Sequence, residues 1–594
     1  MSKPEYQKNK NVLLRIAVPT ILAVLLIVTM IISGIQVSSA LTKPHFSFPR
    51  NPPDFQDIRF THGVASGDVS QGSATLWTRI NQEGRLTLDV FTLPDFNKPK
   101  FEKKNVPALK ENDFTAKVTV TGLKPNQQYF YRWSAGRITS EIGTFKTAPT
   151  IANTNNLHFS WSGDTDATKV DGKRVFGDWK SLLSVAFERP DFFIYLGDVI
   201  YSDSRAGGDP SVPNAQTLDE FRQIYKDSRD IFALHTLLQK IPIYPLWDDH
   251  EVRSDWAGQT VDPVFYNIGK EAFQEYMPIG KVQATNNDPQ CAGPPQYRVF
   301  HWGKAADIIL IDTRSCRSGN AQEICHNDIA PTLPAFVRNG FPAFFPSPPP
   351  PGCLNTINDP MRTVLGTTQK AMLKDALAHS TAKYKFVISS VSMQQAYILP
   401  YDGWEGYAAE RNEILNFIRD NHIQNVIFLT TDEHLNMMND VYIDRFTNPT
   451  PVAYEFITGP VAALSDENNI LKTFGPVIGP QAVKAKQDIL NLVVGVDCSN
   501  LNTFSYGSVD VDSKTGIAKV TLKDENGMTV RDETNQNVAC TKTFNTQSST
   551  GSSPITTTDN TDTSKNTTNS LEKLLQQEQK NRIDNIYHQQ EEAR

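Results

Sequence analysis

Four short apolar runs, far apart along the chain, each end in a carboxylate, and this repetition constrains the fold more than any other feature. They are Phe159-Ser-Trp-Ser-Gly-Asp164, Asp191-Phe-Phe-Ile-Tyr-Leu-Gly-Asp198, Ile243-Tyr-Pro-Leu-Trp-Asp-Asp-His-Glu251 and Asn425-Val-Ile-Phe-Leu-Thr-Thr-Asp-Glu-His434. In the second, five consecutive apolar residues, Phe192 to Leu196, predict a strand buried on both faces of a sheet. Gly197 breaks the run, and Asp198 follows at the carboxyl end, the rim where open α/β sheets place ligands. A carboxylate is costly to bury there unpaired, so it calls for a metal or another cation. Tyr201 stands three residues on, within reach of the same ion. One Gly-Asp turn alone is as readily a plain turn as a ligand. Four such strand ends predict one acidic cluster, for which sheet stability gives no reason and a two-metal hydrolase does.

At 594 residues the chain exceeds a single core and predicts roughly two or three domains with tails. The net charge of −7 argues against a nucleic-acid binder, which would carry a basic face. It does not exclude anionic substrates, because bound cations invert the local field. Lys3, Lys8, Lys10 and Arg15 precede an apolar run from Ile16 to Ile32, and Ser38-Ser39-Ala40 follows as a cleavable small-residue site. The segment is either a cleaved signal or an uncleaved anchor. The run from Val12 to Val37 approaches the ~20 residues needed to span a bilayer and favours the anchor. Both readings place the body of the protein outside the cytoplasm. The six cysteines include no Cys-x-x-Cys pair, so disulfides are expected, with buried free thiols as the alternative. Proximity pairs Cys498 with Cys540. Among the other four, Cys316 with Cys325 and Cys291 with Cys353 is one arrangement.

Along the chain, residues 1–40 read as the anchor or signal segment and 41–57 as a Pro-rich linker. Residues 58–150 carry short strands and turns suited to a β-sandwich, with a fibronectin type III-like corner at Thr121 to Trp133. Residues 155–545 alternate strands with helical stretches, which predicts an α/β catalytic domain. Between Asn287 and Pro360 a long insertion with four cysteines reads as a disulfide-stapled lid or rim near the site. Strands at Leu492 to Val496, Tyr506 to Val511 and Ala518 to Leu522 are expected to complete a second sheet layer. Residues 546–594 form a polar, disordered tail, with Asn566 as a glycosylation acceptor.

Together the strand ends resemble the metallophosphoesterase scheme, and within it the alkaline phosphatase D (PhoD-like) family. Gly197-Asp-x-x-Tyr201 has the form shared with purple acid phosphatases, and Trp247-Asp-Asp-His-Glu-Val252 is the most family-specific stretch. Asp312-Thr-Arg-Ser-Cys-Arg317 resembles another, and Thr61-His-Gly-Val-Ala-Ser-Gly-Asp-Val69 with Ala74 to Ile80 looks like the family's amino-terminal module. The resemblance spans residues 60 to 520 and implies a four-layer α/β/β/α sandwich, preceded by the β-sandwich module and the transmembrane segment. It also implies two metals bridged by Asp198. Asp164 and Tyr201 would hold the first metal, the phenolate suiting ferric iron, and Asp249 the second. Asp432 and His434 would each serve one ion, and His250 would act on substrate, stabilising the phosphoryl group or protonating the leaving oxygen. Oxygen-rich ligands suit ferric iron, calcium or manganese. Arg253 and Arg314 are candidates for phosphate contact, set against ion-pair roles, and Asp166 and Asp248 read as supporting carboxylates.

The chain departs from the family in places. Gly163-Asp164 stands where many members have Ser-Cys, which weakens the case for iron. Val391-Ser-Met-Gln-Gln395 lacks the histidine of purple acid phosphatases. Thr431-Asp-Glu-His434 replaces Gly-Asp-x-His, and Ser254-Asp255 replaces the usual asparagines, making Asp255 a further candidate ligand. The expected function is an exported phosphatase or phosphodiesterase that hydrolyses phosphate esters with a metal-activated hydroxide and touches the membrane through its amino terminus. The alternatives are a non-catalytic envelope or adhesion protein, or a metallohydrolase of another ester bond.

Overall fold

The computed structural model describes residues 58–546, apart from 95, 97, 281–287 and 341–347. The expected anchor and linker, 1–57, and the tail, 547–594, lie outside the described residues.

Period-2 side-chain alternation on strands apolar on both faces demands cover on both sides. Phe192, Ile194 and Leu196 point into one core and Phe193 and Tyr195 into another. The inner core lies between two sheets. A nine-stranded sheet runs Thr541–Asn545, Ile517–Asp524, Ser505–Asp512, Leu157–Ser162, Phe192–Leu196, Ile243–Leu246, Phe60–Gly67, Ser73–Ile80, Thr115–Thr121. Facing it, a seven-stranded sheet runs Arg298–Trp302, Ala306–Leu310, Tyr384–Ile388, Val426–Thr430, Ala453–Ile457, Asn436–Val441, Cys498–Asn500. Aromatic rings bridge the two layers, Phe159 to Phe386 at 5.1 Å and Trp161 to Phe456 at 6.5 Å. Helices Lys180–Glu188 and Phe232–Lys240 cover the outer face of the first sheet through Leu182, Val185, Leu234 and Leu237. Helices Gly366–His379 and Ala408–Asp420 cover the second through Leu373, Leu377, Ile414 and Ile418.

The expected fold class is corrected in two respects. First, both sheets are mixed: the central strands pair in parallel, and antiparallel strands flank them. The amino-terminal strands form two layers that share buried residues such as Leu76, Val120, Leu88 and Tyr131, but only one of the layers is a sheet of its own. Gly84–Phe91, Phe101–Ala108, Gln128–Ala135, Ile138–Thr139 and Gly143–Lys146 make a separate sheet. Phe60–Gly67, Ser73–Ile80 and Thr115–Thr121 instead extend the nine-stranded sheet, with Gly67 paired in parallel to Ile243. The junction requires glycine, because a Cβ on Gly67 would lie 2.6 Å from the Pro278 carbonyl and 2.7 Å from that of Ile243. Asp68 locks it, donating its N–H to Ile243 O at 3.1 Å and pairing with buried Arg298 at 2.8 Å. Local patterning does not reveal this fusion, because strand pairing is a long-range choice.

Second, no transmembrane segment is part of the described fold: among the described residues no helix is long and apolar enough to cross a membrane, and the run Ile16 to Ile32 lies outside them. The longest helix, Asp466–Ile489, spans 24 residues but carries Asp466, Glu467, Lys472, Lys484 and Lys486, and kinks at Gly475-Pro476.

Smaller differences concern the segment expected as an insertion. It contains the hairpin Arg298–Trp302/Ala306–Leu310, two strands of the second sheet. Its cysteines pair as Cys291–Cys316 and Cys325–Cys353, not as 316–325 and 291–353, while Cys498–Cys540 is joined. The hairpin between Cys291 and Cys316 explains the pairing, since it folds the chain back on itself and returns Cys316 beside Cys291. Tyr506 to Val511 joins the first sheet directly beside Leu157–Ser162, and Leu490–Val494 is a helical turn, not a strand.

Candidate metal centre

Three adjacent parallel strands of the first sheet deliver Asp164, Asp198 and the Asp248-Asp249-His250 run, and Val426–Thr430 of the facing sheet delivers Asp432 and His434. Gly163 lets the first two strand ends close up, because a Cβ there would lie 1.9 Å from Leu196 O. Asp164, Asp198, Asp432 and His434 adopt left-handed backbone at φ 57°, 48°, 70° and 52°. Non-glycine residues pay strain for that conformation, and such strain concentrates at functional sites.

The side chains form three overlapping groups whose ligand atoms all lie within 4.8 Å of one another: Asp164, Asp198 and His434; Asp198, Asp249 and His250; Asp248, Asp249 and Asp432. Their oxygens are partitioned. Asp198 accepts the His250 N–H on Oδ1 at 3.2 Å. Asp249 accepts the Asp255 N–H on Oδ2 at 2.6 Å. Asp248 accepts Arg314 Nε–H at 2.6 Å and Ser390 Oγ–H at 2.5 Å on Oδ1. The other oxygen of each, Asp198 Oδ2, Asp249 Oδ1 and Asp248 Oδ2, is buried and makes no hydrogen bond, as are both oxygens of Asp164. Buried carboxylate oxygens are ordinarily satisfied. A set of bare ones, each held in place through its partner oxygen, suits a cation.

Both imidazoles are oriented from behind. His434 Nδ1 lies 2.5 Å from Leu464 O; a carbonyl only accepts, so Nδ1 carries the proton and Nε2 offers a lone pair. That Nε2 is 2.8 Å from the Tyr201 hydroxyl and 3.8 Å from Asp164 Oδ1. His250 Nδ1 contacts Asp203 Oδ1 at 2.6 Å, leaving Nε2 directed into the site 3.9 Å from Asp198 Oδ2. Tyr201 stacks on the His250 ring with centroids 4.3 Å apart.

Residues 172–520 match the PhoD-like phosphatase family, and residues 47–149 match the amino-terminal domain of PhoD-like phosphatases. The chain belongs to the PhoD-like phosphatase family. Among curated relatives, alkaline phosphatase D of Bacillus subtilis (strain 168) is 26% identical over 448 residues, covering 70% of this chain and 71% of that protein. A solved structure of PhoD superposes with a TM-score of 0.62 at 22% identity, covering 78% of this chain and 86% of that one. A purple acid phosphatase from yellow lupin seeds aligns with a TM-score of 0.47 at 10% identity, covering 84% and 77%. Of the functions weighed from sequence, the family makes this chain a metal-dependent phosphoric ester hydrolase.

The electrostatics fit that chemistry. Burial lifts the Asp164, Asp198 and Asp432 carboxyls well above the ordinary 3.8, and neighbouring carboxylates add to the effect. Burial also lifts the Tyr201 phenol, followed by the charges of Asp198 and Asp164. Burial works against charge on Asp249 too, but His250 and Arg314 outweigh it and hold that carboxyl well below its ordinary value. His250 is the converse: burial disfavours its charge, while Asp249, Asp198 and Asp203 push it well above 6.5. Burial lowers His434, keeping it a neutral donor. A bound cation favours the ionised form of each carboxyl and of the phenol.

The remaining candidates stand apart from the bare oxygens. Asp255 belongs to none of the three groups and contributes its N–H to Asp249. Arg253 donates to Val252 O at 2.9 Å and to Ala215 O and lies 3.7 Å over the Phe265 ring. Arg314 is 0% exposed and engaged by Asp248 and Asp402. Asp166 accepts the N–H groups of Thr168 and Ala206 and shapes the loop after Tyr201. Sequence reasoning missed Asp203, Glu251 and Asp402. Asp203 lies two residues beyond Tyr201, so an extended Gly-Asp-x-x-Tyr-x-Asp pattern is the signal for it. Glu251 ties two strand ends by accepting Val199 N–H at 2.6 Å and Asp248 N–H at 2.9 Å, and burial raises it to about 8. A groove of about 770 Å³ beside Tyr297, Val299 and Met372 shares no residue with the acidic cluster.

Proposed function

We propose that the chain is an exported phosphomonoesterase or phosphodiesterase working at a two-metal site. Asp198 would bridge the ions. Asp164, His434 and Tyr201 would hold one cation, and Asp249 with Asp432 the other, joined by the bare oxygen of Asp248. The observation that carries this reading is the pairing of one anchored and one bare oxygen on each of Asp198, Asp248 and Asp249. Bound cations supply positive charge to the phosphoryl oxygens and make water a better nucleophile. The donor set of carboxylates, imidazole and phenol suits ferric iron, calcium or manganese.

The protein's own share is positioning and proton transfer. His250 faces the site with Nε2 and, in its protonated form, would donate its proton to the leaving oxygen or stabilise the transferring phosphoryl group. Asp203 fixes the imidazole from behind, and Tyr201 holds the ring in plane by stacking. The disulfides support export, since such bonds persist in oxidising compartments. The test combines elemental analysis, a visible spectrum and hydrolysis of aryl phosphate mono- and diesters with and without chelator. Expected results are bound metal, loss of activity with its removal, and inactivity of Asp198→Asn. A tyrosinate-to-iron absorption band would identify the first metal. Equal rates in the metal-free and metal-loaded protein would end the proposal.

A further inference from the structure

Arg314 occupies an unusual position for a charged side chain. It is 0% exposed, yet it meets three carboxylates: Nε donates to Asp248 Oδ1 at 2.6 Å, and its two terminal nitrogens donate to Asp402 Oδ1 and Oδ2, each at 2.7 Å. One terminal nitrogen also lies 4.0 Å from Asp249 Oδ1. The guanidinium is therefore spent on carboxylates and unavailable to substrate. Its backbone is equally fixed. Asp312 Oδ1 accepts the N–H groups of Arg314 and Ser315 at 3.0 and 2.9 Å, Arg314 O accepts Gly258 N–H at 3.0 Å, and Cys316 is bonded to Cys291. Asp402 is held from its other side by Arg317, which donates to its carboxylate and, at 2.7 Å, to its backbone carbonyl.

We propose that Arg314 and Asp402 form a positioning pair for the Asp248–Asp249 end of the site, the planar fork deciding which carboxylate oxygens remain bare toward a cation. The pair rests on the metal-dependent reading above and adds to it residues that touch neither cation nor substrate. The argument is geometric. Nε–H and the bidentate edge of a guanidinium point in fixed directions, so Asp248 cannot rotate its bare Oδ2 out of the cluster without losing Arg314. Asp402 sets the angle of the fork and neutralises part of its charge, which would otherwise repel a bound cation. A lysine keeps the charge but has no planar fork, so charge and geometry are separable here.

The experiment uses the full chain with Arg314→Lys and Asp402→Asn, stripped of metal and titrated with Mn²⁺ against a chromogenic chelator. Thermal melts of the metal-free forms and steady-state kinetics at saturating Mn²⁺ complete it. Both variants are expected to bind Mn²⁺ about 10–100-fold more weakly, the usual effect of disturbing groups behind metal ligands. Excess Mn²⁺ then restores kcat, with KM near that of the unmodified chain, while the metal-free melting temperatures fall because a buried ion pair is disturbed. Wild-type Mn²⁺ affinity in Arg314→Lys overturns the pair; should that variant not fold, wild-type affinity in Asp402→Asn does so. Absence of Mn²⁺, Ca²⁺ or iron binding by the unmodified chain would instead bring down the metal-dependent reading itself.

Discussion

Replacing Asp203 by asparagine isolates the proton on His250. The contact it removes is charge-assisted and short, Nδ1 to Oδ1 at 2.6 Å, between side chains that are 13% and 8% exposed. Such a bond is worth about 1.5–3 kcal/mol. At about 1.36 kcal/mol per unit, the His250 pKa should fall by roughly one to two units. The second carboxylate oxygen accepts Ser254 N–H at 2.8 Å. An asparagine satisfies only one donor with its oxygen: either the imidazolium keeps a neutral, weaker acceptor while Ser254 N–H faces the NH₂, or the imidazolium faces the NH₂ and loses its partner or its proton. If protonated His250 is the acid, the basic limb of the kcat–pH profile should move downward by that amount. The loss should also depend on the leaving group: small for an acidic phenol, and up to about 100-fold or more for an alkyl alcohol that needs a proton to depart. The assay is a pH–rate profile across a series of aryl and alkyl phosphate esters, for Asp203→Asn and the unmodified chain. An unmoved basic limb, or the same fold-loss for every leaving group, would refute the acid role of His250.

Two further outcomes follow from the site. Asp164, Asp198 and Asp432 have folded-state pKa values raised above 3.8, so in metal-free protein their contribution to stability is present below that value and lost as pH rises through the folded pKa. The melting-temperature gap between Mn²⁺-loaded and metal-free protein should therefore widen from pH 5 to pH 8, measured by differential scanning fluorimetry; a constant gap would contradict the electrostatic account. Gly459→Ala tests ligand placement without replacing a candidate ligand, because at φ +125° its Cβ would fall 2.5 Å from Asp164 Oδ2. The strain and clash should cost about 1–3 kcal/mol and lower bound metal by elemental analysis, and a full metal complement would show that Asp164 is not fixed where it stands.

The strand ends could be read from sequence because each is a local event: an apolar run, a break, then a carboxylate. The runs that end in Asp164, Asp198 and Asp249 meet because parallel neighbours in a sheet end side by side, and the run that ends in His434 reaches them from the facing sheet. Asp402 escaped because Pro400-Tyr-Asp-Gly403 reads as an ordinary turn, and its partner Arg314 lies 88 residues earlier. The cysteine pairing failed for a related reason: proximity along the chain favoured Cys316 with Cys325, whereas the hairpin at 298–310 brings Cys291 back to Cys316. The amino-terminal strands illustrate the same limit. Their alternation predicts strands but says nothing about which sheet they join.

That shared sheet makes the two halves of the molecule poor candidates for shuffling. The flank of Ile243–Leu246 is covered by residues made long before it on the ribosome, and the acids that follow this strand inherit their register from it. A chimera carrying a foreign amino-terminal cassette would leave that flank bare, an invitation to aggregate, although no residue of the candidate metal centre had been altered.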